Sequence, residues 1–460
     1  MNQEKTISPA METDPVGKVF VRYLIPSLVG MLMMSINVVA DGIFVGHRLG
    51  ALALAGINIA SPVFSVFFAM SLWLGIGGAT LFSQSKGAKN IRQARRIFTH
   101  SLILIFVLTM LVALTAYLLR VPLAYALGAN RDTLPYALEY MTVLLTYGFI
   151  ITIQNAFSLF VRNDGNPNLS MISMVVSAVL NIILNYVFLY VLDMGVEGSA
   201  LATVAATLVG ALVLFGHFLR KDRTLSFVKP YFSLKLAVRT LTIGFPSFIS
   251  EVGLSVFTIG YNVAMVRWAG TAGVAAFSVL NYAHSVMLML FLGMGSAIQP
   301  LISYYRGAKL RLREVQTVRI AVATALVSGI VVFVFGLVSA GGIVSLFGDF
   351  SDEVRSLAIN GIRLFFIGYM FMGVNFVMMT YFQASEQVKA AVWITLSREI
   401  ILMVIFLLVL PYLLGTNGVW LSIPLSECVV ALSIFIYVKF LQNGKRNMSF
   451  DVPAKKTDTV

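Results

Sequence analysis

The chain consists mainly of long apolar segments separated by stretches that are polar or rich in glycine and proline. A helix needs about 20 such residues to cross a hydrocarbon layer of roughly 30 Å. The segments lack the alternation of apolar and polar positions that is typical of barrel strands, so they predict membrane-spanning α-helices. Twelve segments occur near residues 18–46, 51–82, 97–120, 134–160, 168–192, 196–219, 238–265, 272–302, 316–343, 354–379, 389–412 and 417–440.

Composition agrees with a lipid environment. Hydrophobic residues make up 58% of the 460 residues and charged residues only 12%, and the mean hydropathy is +0.88. Soluble domains have about 25% charged residues. We therefore expect an all-α membrane protein with the lipid bilayer as its main solvent.

Basic residues predict the orientation of the spans. The net charge is +13, and one set of connections carries most of it, including 86–96, 220–239 and 306–319. The opposite connections hold only Arg48, Arg120, Arg131, Arg267 and Arg355. The positive-inside rule places the basic side and both termini in the cytoplasm. Nucleic-acid binding is disfavoured because the sequence has no basic soluble domain.

An internal repeat at a spacing of 220 residues divides the chain into two halves. Pro26 matches Pro246, and the sequence KGAK at 86–89 matches RGAK at 306–309. Six spans per half predict parallel repeats related by a pseudo-two-fold axis along the membrane normal. The predicted organisation is a cytoplasmic tail at 1–17, an N-lobe at 18–219, a cytoplasmic linker at 220–237, a C-lobe at 238–440 and a second cytoplasmic tail at 441–460.

Asp41 in the first span is the leading candidate for a coupling site, because ionisable groups inside spans are costly. Asn37 precedes it by one helical turn, and Asn181 and Asn185 share one face of the fifth span. Thr203 lies in the sixth span. A desolvated carboxyl group can hold a proton or a cationic substrate, but not both cheaply, which is the basis of antiport. The alternative is that Asp41 only anchors a helix end at the outer interface.

Several other polar positions remain open. Pro26 removes a backbone hydrogen bond and predicts a hinge in the first span, although a static kink is the alternative. Glu251 follows Pro246 in the seventh span and either receives cations or pairs with a polar neighbour. Arg398 and Glu399 are adjacent and fit interlobe or local ion pairs better than substrate ligands. Glu427 and His284 fit structural polar contacts.

A substrate cavity is expected among soft side chains near these groups, since methionine suits adaptable surfaces. The candidates are Met33, Met34, Gln154, Asn155, Met174 and Glu251. Ordinary core or lipid-facing packing is the alternative for each methionine. The single cysteine, Cys428, lacks metal-ligand spacing, and no metal site is predicted. The sequence has no Walker loop, so neither ATP-driven transport nor a cofactor is expected.

Four motifs resemble those of the multidrug and toxic-compound extrusion (MATE) family. They are DGIFVG at 41–46, GALALAG at 50–56, RNDGNP at 162–167 and GVEGSALAT at 195–203. Their order and spacing extend the resemblance over essentially the whole chain. The resemblance implies a V-shaped, two-lobe bacterial plasma-membrane exporter. It would expel small cationic amphipathic drugs in exchange for H⁺ or Na⁺.

In the branch that this sequence resembles, polar residues of the first, fifth and sixth spans handle the coupling cation, and Asp41, Asn181 and Thr203 match that pattern. Asn185 departs from it, because the family commonly has a second aspartate there. A single carboxylate among amides favours H⁺ over Na⁺. We therefore expect a monomeric drug/H⁺ antiporter that works by alternating access, and not an enzyme.

Two other functions are compatible with such a scaffold. A flippase for lipid-linked precursors would need several cationic side chains in its cavity, whereas the mid-span bases Arg363 and Arg398 are few. An ion channel or receptor fits a two-lobe repeat less well than coupled exchange does.

Overall fold

The computed structural model describes residues 9–230 and 232–448, and in these ranges every regular element is a helix. The helices that can cross a membrane are Val16–Gly50, Leu52–Gly87, Ile91–Leu118, Pro167–Val191, Gly195–Leu219, Leu234–Gly307, Arg311–Leu346, Asp352–Ala384, Val388–Leu414 and Thr416–Lys439. A further pair, Leu134–Tyr147 and Phe149–Asn163, forms one span bent by 50°. Short helices at Pro9–Thr13 and Arg120–Ala126 lie outside the spans.

Helix Leu234–Gly307 contains two spans. Its 74 residues would extend about 110 Å as one straight helix, far more than a bilayer is thick. Gly270 interrupts it with a left-handed backbone, φ 59°. The ten helices, the bent pair and this division together give twelve spans in the described ranges. We number them first to twelfth in chain order.

The 220-residue repeat recurs in the backbone. Left-handed φ angles occur at pairs of residues that are 220 apart, and these pairs are Gly50 and Gly270, Lys89 and Lys309, Gly128 and Gly348, and Gly195 and Gly415. A residue with a side chain pays a steric cost in this region, whereas glycine does not. A Cβ atom on Gly50 or Gly270 would meet no neighbour within 4 Å. Glycine is therefore needed there for its backbone conformation rather than for space.

The two halves build separate apolar cores. One large cluster takes its buried residues from 257 to 434 and adds Phe20 of the first span. A second cluster takes its residues from 45 to 204. We call the half that contains the 45–204 cluster the first lobe and the half that contains the 257–434 cluster the second lobe. The end of the lobes that bears Lys86, Arg162 and Arg306 is called the basic end. The lobe boundaries predicted from the sequence stay predictions.

The lobes touch closely near the basic end, where the second span crosses the eighth. A Cβ atom on Gly87 would collide with the carbonyl oxygen of Tyr304, and one on Gly307 would collide with the carbonyl oxygen of Gln84. Both the two glycines and the two carbonyl residues are 220 residues apart, so the contact is symmetric. We call it the glycine crossing. Each glycine allows backbone to approach backbone, which no other residue would permit.

Hydrogen bonds reinforce this contact between the lobes. The donor and acceptor pairs are Ser83 Oγ to Pro300 O at 3.1 Å, Gln84 Nε2 to Ala384 O at 3.1 Å, Gln299 Nε2 to Thr80 Oγ1 at 2.9 Å, Asn163 Nδ2 to Gln299 Oε1 at 2.8 Å and Trp73 Nε1 to Leu241 O at 2.8 Å. Sequence reasoning did not identify these amides and hydroxyls as a group, because they lie on different spans.

Asp164, which follows the fourth span, ties the connection between the lobes to the first lobe. Its buried carboxylate accepts a hydrogen bond from Lys86 Nζ at 2.8 Å and lies 2.8 Å from His217 Nε2. It also accepts from the backbone amides of Thr224 and Leu225 at 2.8 and 3.0 Å. Burial alone would raise the pKa of Asp164. The charge of Lys86 and the hydrogen bonds from His217 and Leu225 outweigh burial and hold this pKa well below its ordinary value of 3.8.

Asp164→Asn should therefore lower the free energy of unfolding by about 3–5 kcal/mol, because it leaves the Lys86 charge buried without its partner. A carboxylate whose pKa is depressed in the folded state stabilises the protein above its unfolded pKa of about 3.9, and this stabilisation is lost on acidification. The wild-type protein should lose thermal stability as the pH falls below about 4, and the variant should lose less. Thermal unfolding in detergent across this pH range measures both effects.

Asp222→Asn is the matched control, since Asp222 lies in the same connection but pairs with Arg220 at the exposed surface. An exposed pair contributes little, about 0–1 kcal/mol. Equal unfolding temperatures for the two variants would contradict the role given to Asp164.

Candidate functional site

Asp41, Asn181, Asn185 and Thr203 come together in the first lobe. Asn185 Nδ2 donates a hydrogen bond to Asp41 Oδ1 at 2.6 Å and another to Asn181 Oδ1 at 2.9 Å. Asn181 Nδ2 donates to Thr203 Oγ1 at 3.0 Å. Both asparagines and Thr203 are buried, while Asp41 is partly exposed. Three spans thus contribute to one polar network around a single carboxyl group, which we call the Asp41 site.

Local helix geometry positions these side chains. Asn181 and Asn185 are one helical turn apart and therefore face the same way. The fifth span continues beyond Asn185 into a π-helical turn at Val187–Val191, a feature that is frequent near functional sites. The sixth span begins at Gly195, whose φ of 62° requires a left-handed backbone. Thr203 lies two turns further along that helix.

The Asp41 site has no compensating positive charge. Among the ion pairs of the described residues, none includes Asp41. Its partner Asn185 is neutral and so stabilises the carboxylate without cancelling its charge. Asn37 Oδ1, one turn earlier, is buried and forms no hydrogen bond within the described part of the chain. A carboxylate of this kind is suited to bind a proton or a small cation.

The second lobe does not repeat the Asp41 site. The positions 220 residues after Asp41 and Thr203 are Tyr261 and Ile423. Tyr261 is fully buried, and its hydroxyl oxygen accepts a hydrogen bond from the backbone amide of Ile423 at 3.2 Å. An aromatic core therefore replaces the carboxylate, and the repeat is symmetric in backbone but not in chemistry.

Pro26 lies where the first span passes from one lobe to the other. Leu28, two residues later, packs against Gly293 of the eighth span, where a Cβ atom would lie 2.9 Å from the leucine Cδ2. Gly30 packs against Met174 of the fifth span, where a Cβ atom would lie 2.7 Å from the sulfur. The predicted hinge is buried and lies next to this change of partner.

A narrow cavity of about 50 Å³ lies between the lobes. Its lining includes Met31, Phe68, Phe376 and Met379, and Glu251 is its one acidic residue. Pockets for small molecules are commonly mostly apolar with a few polar groups. The lining of this cavity therefore has the chemistry suited to an organic molecule with a positive charge, although in this conformation the cavity is narrower than such a molecule requires.

The other residues predicted to line a substrate cavity lie elsewhere. Gln154 Nε2 donates to Ser173 Oγ at 3.0 Å within the first lobe, and Asn155 Nδ2 donates to the carbonyl oxygen of Ile151 at 3.0 Å. Met33 and Met34 are half-buried on the first span, and Met174 packs on Gly30. None of the five is in the lining of the cavity between the lobes. Their contact with substrate stays a prediction.

A second polar cluster is buried in the second lobe. The guanidinium group of Arg398 donates to Glu399 Oε1, and its Nη1 lies 3.5 Å from Glu427 Oε1. Asn375 Nδ2 donates to Glu427 Oε2 at 2.6 Å. The guanidinium group also lies over the ring of Phe376 at 3.8 Å from its centroid. Of the interlobe and local ion pairs that the sequence left open, the structure has a local pair of Arg398 with Glu399, and the pairing with Glu427 was not expected.

His284 and Arg363 take ordinary positions. His284 Nδ1 lies 2.8 Å from the hydroxyl of Tyr369, as expected for a structural contact. Arg363 is exposed on the surface of the tenth span.

Within the described ranges, no group of three or more His, Cys, Asp or Glu residues is arranged to hold a metal ion.

Comparison with known proteins identifies relatives of this chain. The sequence pattern of the MatE family matches residues 26–187 and 246–409, and the two matches begin 220 residues apart (246 minus 26). The chain is 25% identical to multidrug export protein MepA of Staphylococcus saprophyticus, over 94% of this chain and 95% of the relative. It is 26% identical to MepA of Staphylococcus haemolyticus, with the same coverage.

Solved structures give the same picture. The outward-facing conformation of a multidrug resistance MATE family transporter is similar with a TM-score of 0.90 and 25% identity, covering 96% of this chain and all of the other. A MOP superfamily transporter from Pyrococcus furiosus is similar with a TM-score of 0.89 and 26% identity, covering 95% and 98%. The predicted all-helical fold of twelve spans in two lobes is confirmed, and so is the resemblance to the family.

The pairing in the second lobe leads to a prediction. Arg398→Met should lower the free energy of unfolding by about 3–5 kcal/mol, because two glutamates lose their buried cationic partner. Combining it with Glu399→Gln and Glu427→Gln should recover most of that loss, since no charge is then left unpaired. Thermal unfolding in detergent tests both. A single variant as stable as the wild type would show that the pairs do not form.

Proposed function

The chain belongs to the MatE family and is a transporter rather than an enzyme. On that basis we propose that it is a secondary active multidrug exporter. It exchanges cationic amphipathic compounds for H⁺ by alternating access between the two sides of the membrane, and Asp41 carries the proton. No cofactor is required beyond the coupling ion. Export of drugs is also the activity that the names of the MepA relatives describe.

The observation that carries this proposal is the hydrogen bond from Asn185 Nδ2 to Asp41 Oδ1. It holds the carboxyl group on the fifth span without neutralising it. Oδ1 accepts this bond, so Oδ2 is the oxygen atom that we propose receives the proton. Protonation removes the charge and weakens the acceptor, so the attachment of the first span to the fifth changes with each proton bound or released.

The same geometry favours H⁺ over Na⁺ as the coupling ion. Sodium in a desolvated site needs several oxygen ligands and benefits from more than one carboxylate. Here Asp41 is the single acid, and Asn185 directs its N–H groups toward the carboxylate and toward Asn181. Donors aimed at the carboxylate compete with a metal cation for its oxygen atoms but leave room for a proton.

Alternating access is supported by where the lobes touch. The glycine crossing and the hydrogen bonds around it join the lobes near the basic end. The hydrogen bonds that the described residues form at the other end, such as Arg48 to Asp193 and Arg267 to Tyr412, stay within one lobe. We assign the basic end to the cytoplasm, with both termini there. The conformation is then closed toward the cytoplasm.

Glu251 is the proposed acidic contact of the substrate in the cavity between the lobes. Its position at the cavity wall, among methionine and phenylalanine side chains, suits a cation that carries apolar groups. Pro26 is the proposed hinge by which the first span adapts as the lobes move. We place the protein in a bacterial plasma membrane as a monomer, with the lobe and linker boundaries given by the sequence.

The flippase alternative receives no support from the cavity. A phosphate-bearing lipid would need free cationic side chains. Arg363 is exposed on the outside of its span, and Arg398 is paired with Glu399 and Glu427.

Asp41→Asn should abolish export driven by a proton gradient, because an amide side chain cannot take up and release a proton near neutral pH. The test is efflux of a fluorescent organic cation from proteoliposomes under an imposed pH gradient without Na⁺. Asp132→Asn is the matched control, since Asp132 is an exposed acid in a connection, and it should export at the wild-type rate. Wild-type export by Asp41→Asn would disprove the assignment.

Asn185→Asp should add the missing carboxylate and create sensitivity to Na⁺. We expect thermal unfolding of this variant to shift upward with Na⁺ but not with the same concentration of K⁺, and the wild type to show no such difference. Efflux measured under separately imposed H⁺ and Na⁺ gradients should show the same difference, with Na⁺ dependence in the variant and none in the wild type. A wild-type protein that is itself stabilised by Na⁺ and exports along a Na⁺ gradient alone would replace H⁺ with Na⁺ in the proposal.

A further inference from the structure

The segment that precedes the first span lies on the second lobe. The Met11 side chain is only 3% exposed and packs with Leu301, Tyr304 and Tyr305. The carbonyl oxygen of Met11 accepts hydrogen bonds from the Tyr305 hydroxyl at 3.1 Å and from Arg313 Nη1 at 2.9 Å. The N-terminal segment therefore packs at a defined site where the eighth span ends and the ninth begins. We call this site the seat.

Two further contacts extend this seat. Arg313 Nη1 also donates to the carbonyl oxygen of Asp14 at 2.9 Å. The Tyr304 hydroxyl donates to Glu12 Oε1 at 2.7 Å. The donors all belong to the second lobe, and the acceptors all belong to residues 11–14. A guanidinium donor makes hydrogen bonds stronger than neutral ones, so Arg313 is the strongest of these attachments.

Tyr304 also belongs to the glycine crossing. Its carbonyl oxygen faces Gly87 of the first lobe, while its hydroxyl holds Glu12. The seat of the N-terminal segment and the closed contact between the lobes are thus built on the same residue. A movement that withdraws the eighth span from Gly87 must also move the seat.

The first span connects this seat to the first lobe. Beyond Gly30 it packs on the fifth span, and Asp41 is held there by Asn185. One continuous helix is therefore attached to the second lobe at its start and to the first lobe at its Asp41 end. Separation of the lobes at the basic end pulls on the attachment of residues 11–14.

We propose that Met11, Glu12 and Asp14 form an N-terminal clasp that locks the glycine crossing closed and has to be released before the basic end opens. This inference depends on the proposed function, because it assumes alternating access. It adds that the clasp regulates the opening at the basic end. Loss of the clasp shifts the protein toward the state that is open at the basic end.

The experiment uses the full chain with its single cysteine replaced, Cys428→Ser. Ser83→Cys then serves as a reporter, because Ser83 is fully buried at the contact between the lobes and donates to the Pro300 carbonyl oxygen. The rate at which a hydrophilic maleimide labels this cysteine, in protein reconstituted into nanodiscs, measures opening at the basic end.

Arg313→Gln removes both guanidinium bonds and should raise the labelling rate by about tenfold or more, the factor expected for losing one charge-assisted hydrogen bond. Tyr305→Phe keeps the ring and removes only the hydroxyl donor, so it should raise the rate less but in the same direction. Arg319→Gln is the matched control, since Arg319 is an exposed base on the same span. It should leave the rate unchanged.

Unchanged labelling in both Arg313→Gln and Tyr305→Phe would overturn the clasp, even if their unfolding temperatures fell, because that result describes an anchor that only stabilises the fold. Efflux from proteoliposomes, measured on the same variants, tests the proposed function separately. Clasp-dependent labelling without any H⁺-driven export would keep the clasp and remove the exporter assignment.

Discussion

The bilayer cannot hydrogen-bond to the protein, so each polar group within the spans depends on what neighbouring spans provide. Several buried groups in the described residues have such partners on neighbouring spans. Arg398 is matched by Glu399 and Glu427, and Asn163 is matched by Gln299. Asp41 differs, because its partner is a neutral amide and its charge is left without an opposite charge. The same constraint that makes the paired groups structural is the reason Asp41 is proposed as the site of the coupling ion.

The sequence predicts well whatever depends on one segment or on the repeat. Span number follows from segment length, and the left-handed positions follow the 220-residue spacing because a helix must break at the same place in each half. Asn181 and Asn185 face the same way because they are one turn apart. Their position opposite Asp41 needed only the correct order of three spans and the resemblance to a known family.

Contacts between spans that are distant in sequence could not be predicted from these patterns. Glu427 lies on a different span from Arg398, and no local periodicity relates them. The cavity between the lobes is lined by Met31 and Met379 rather than by the methionines nearest to Asp41 in sequence, since which face of a helix meets the cavity depends on how the lobes pack. The glycine crossing was visible only as matched glycines, because sequence alone does not show which backbone approaches them.

The difference between the two halves bears on how binding and movement are connected. Tyr261 occupies the position that corresponds to Asp41 and is locked in an aromatic core, so the two lobes cannot respond equally to a proton. In the proposed mechanism the response begins where the fifth span of the first lobe holds Asp41. The first span carries it toward the contact between the lobes, because this helix touches Asn185 near one end and the second lobe at the other. A helix shared between two bodies cannot remain fixed to both when they separate, so under the proposed function a change in its attachment at Asp41 alters the free energy of the closed crossing.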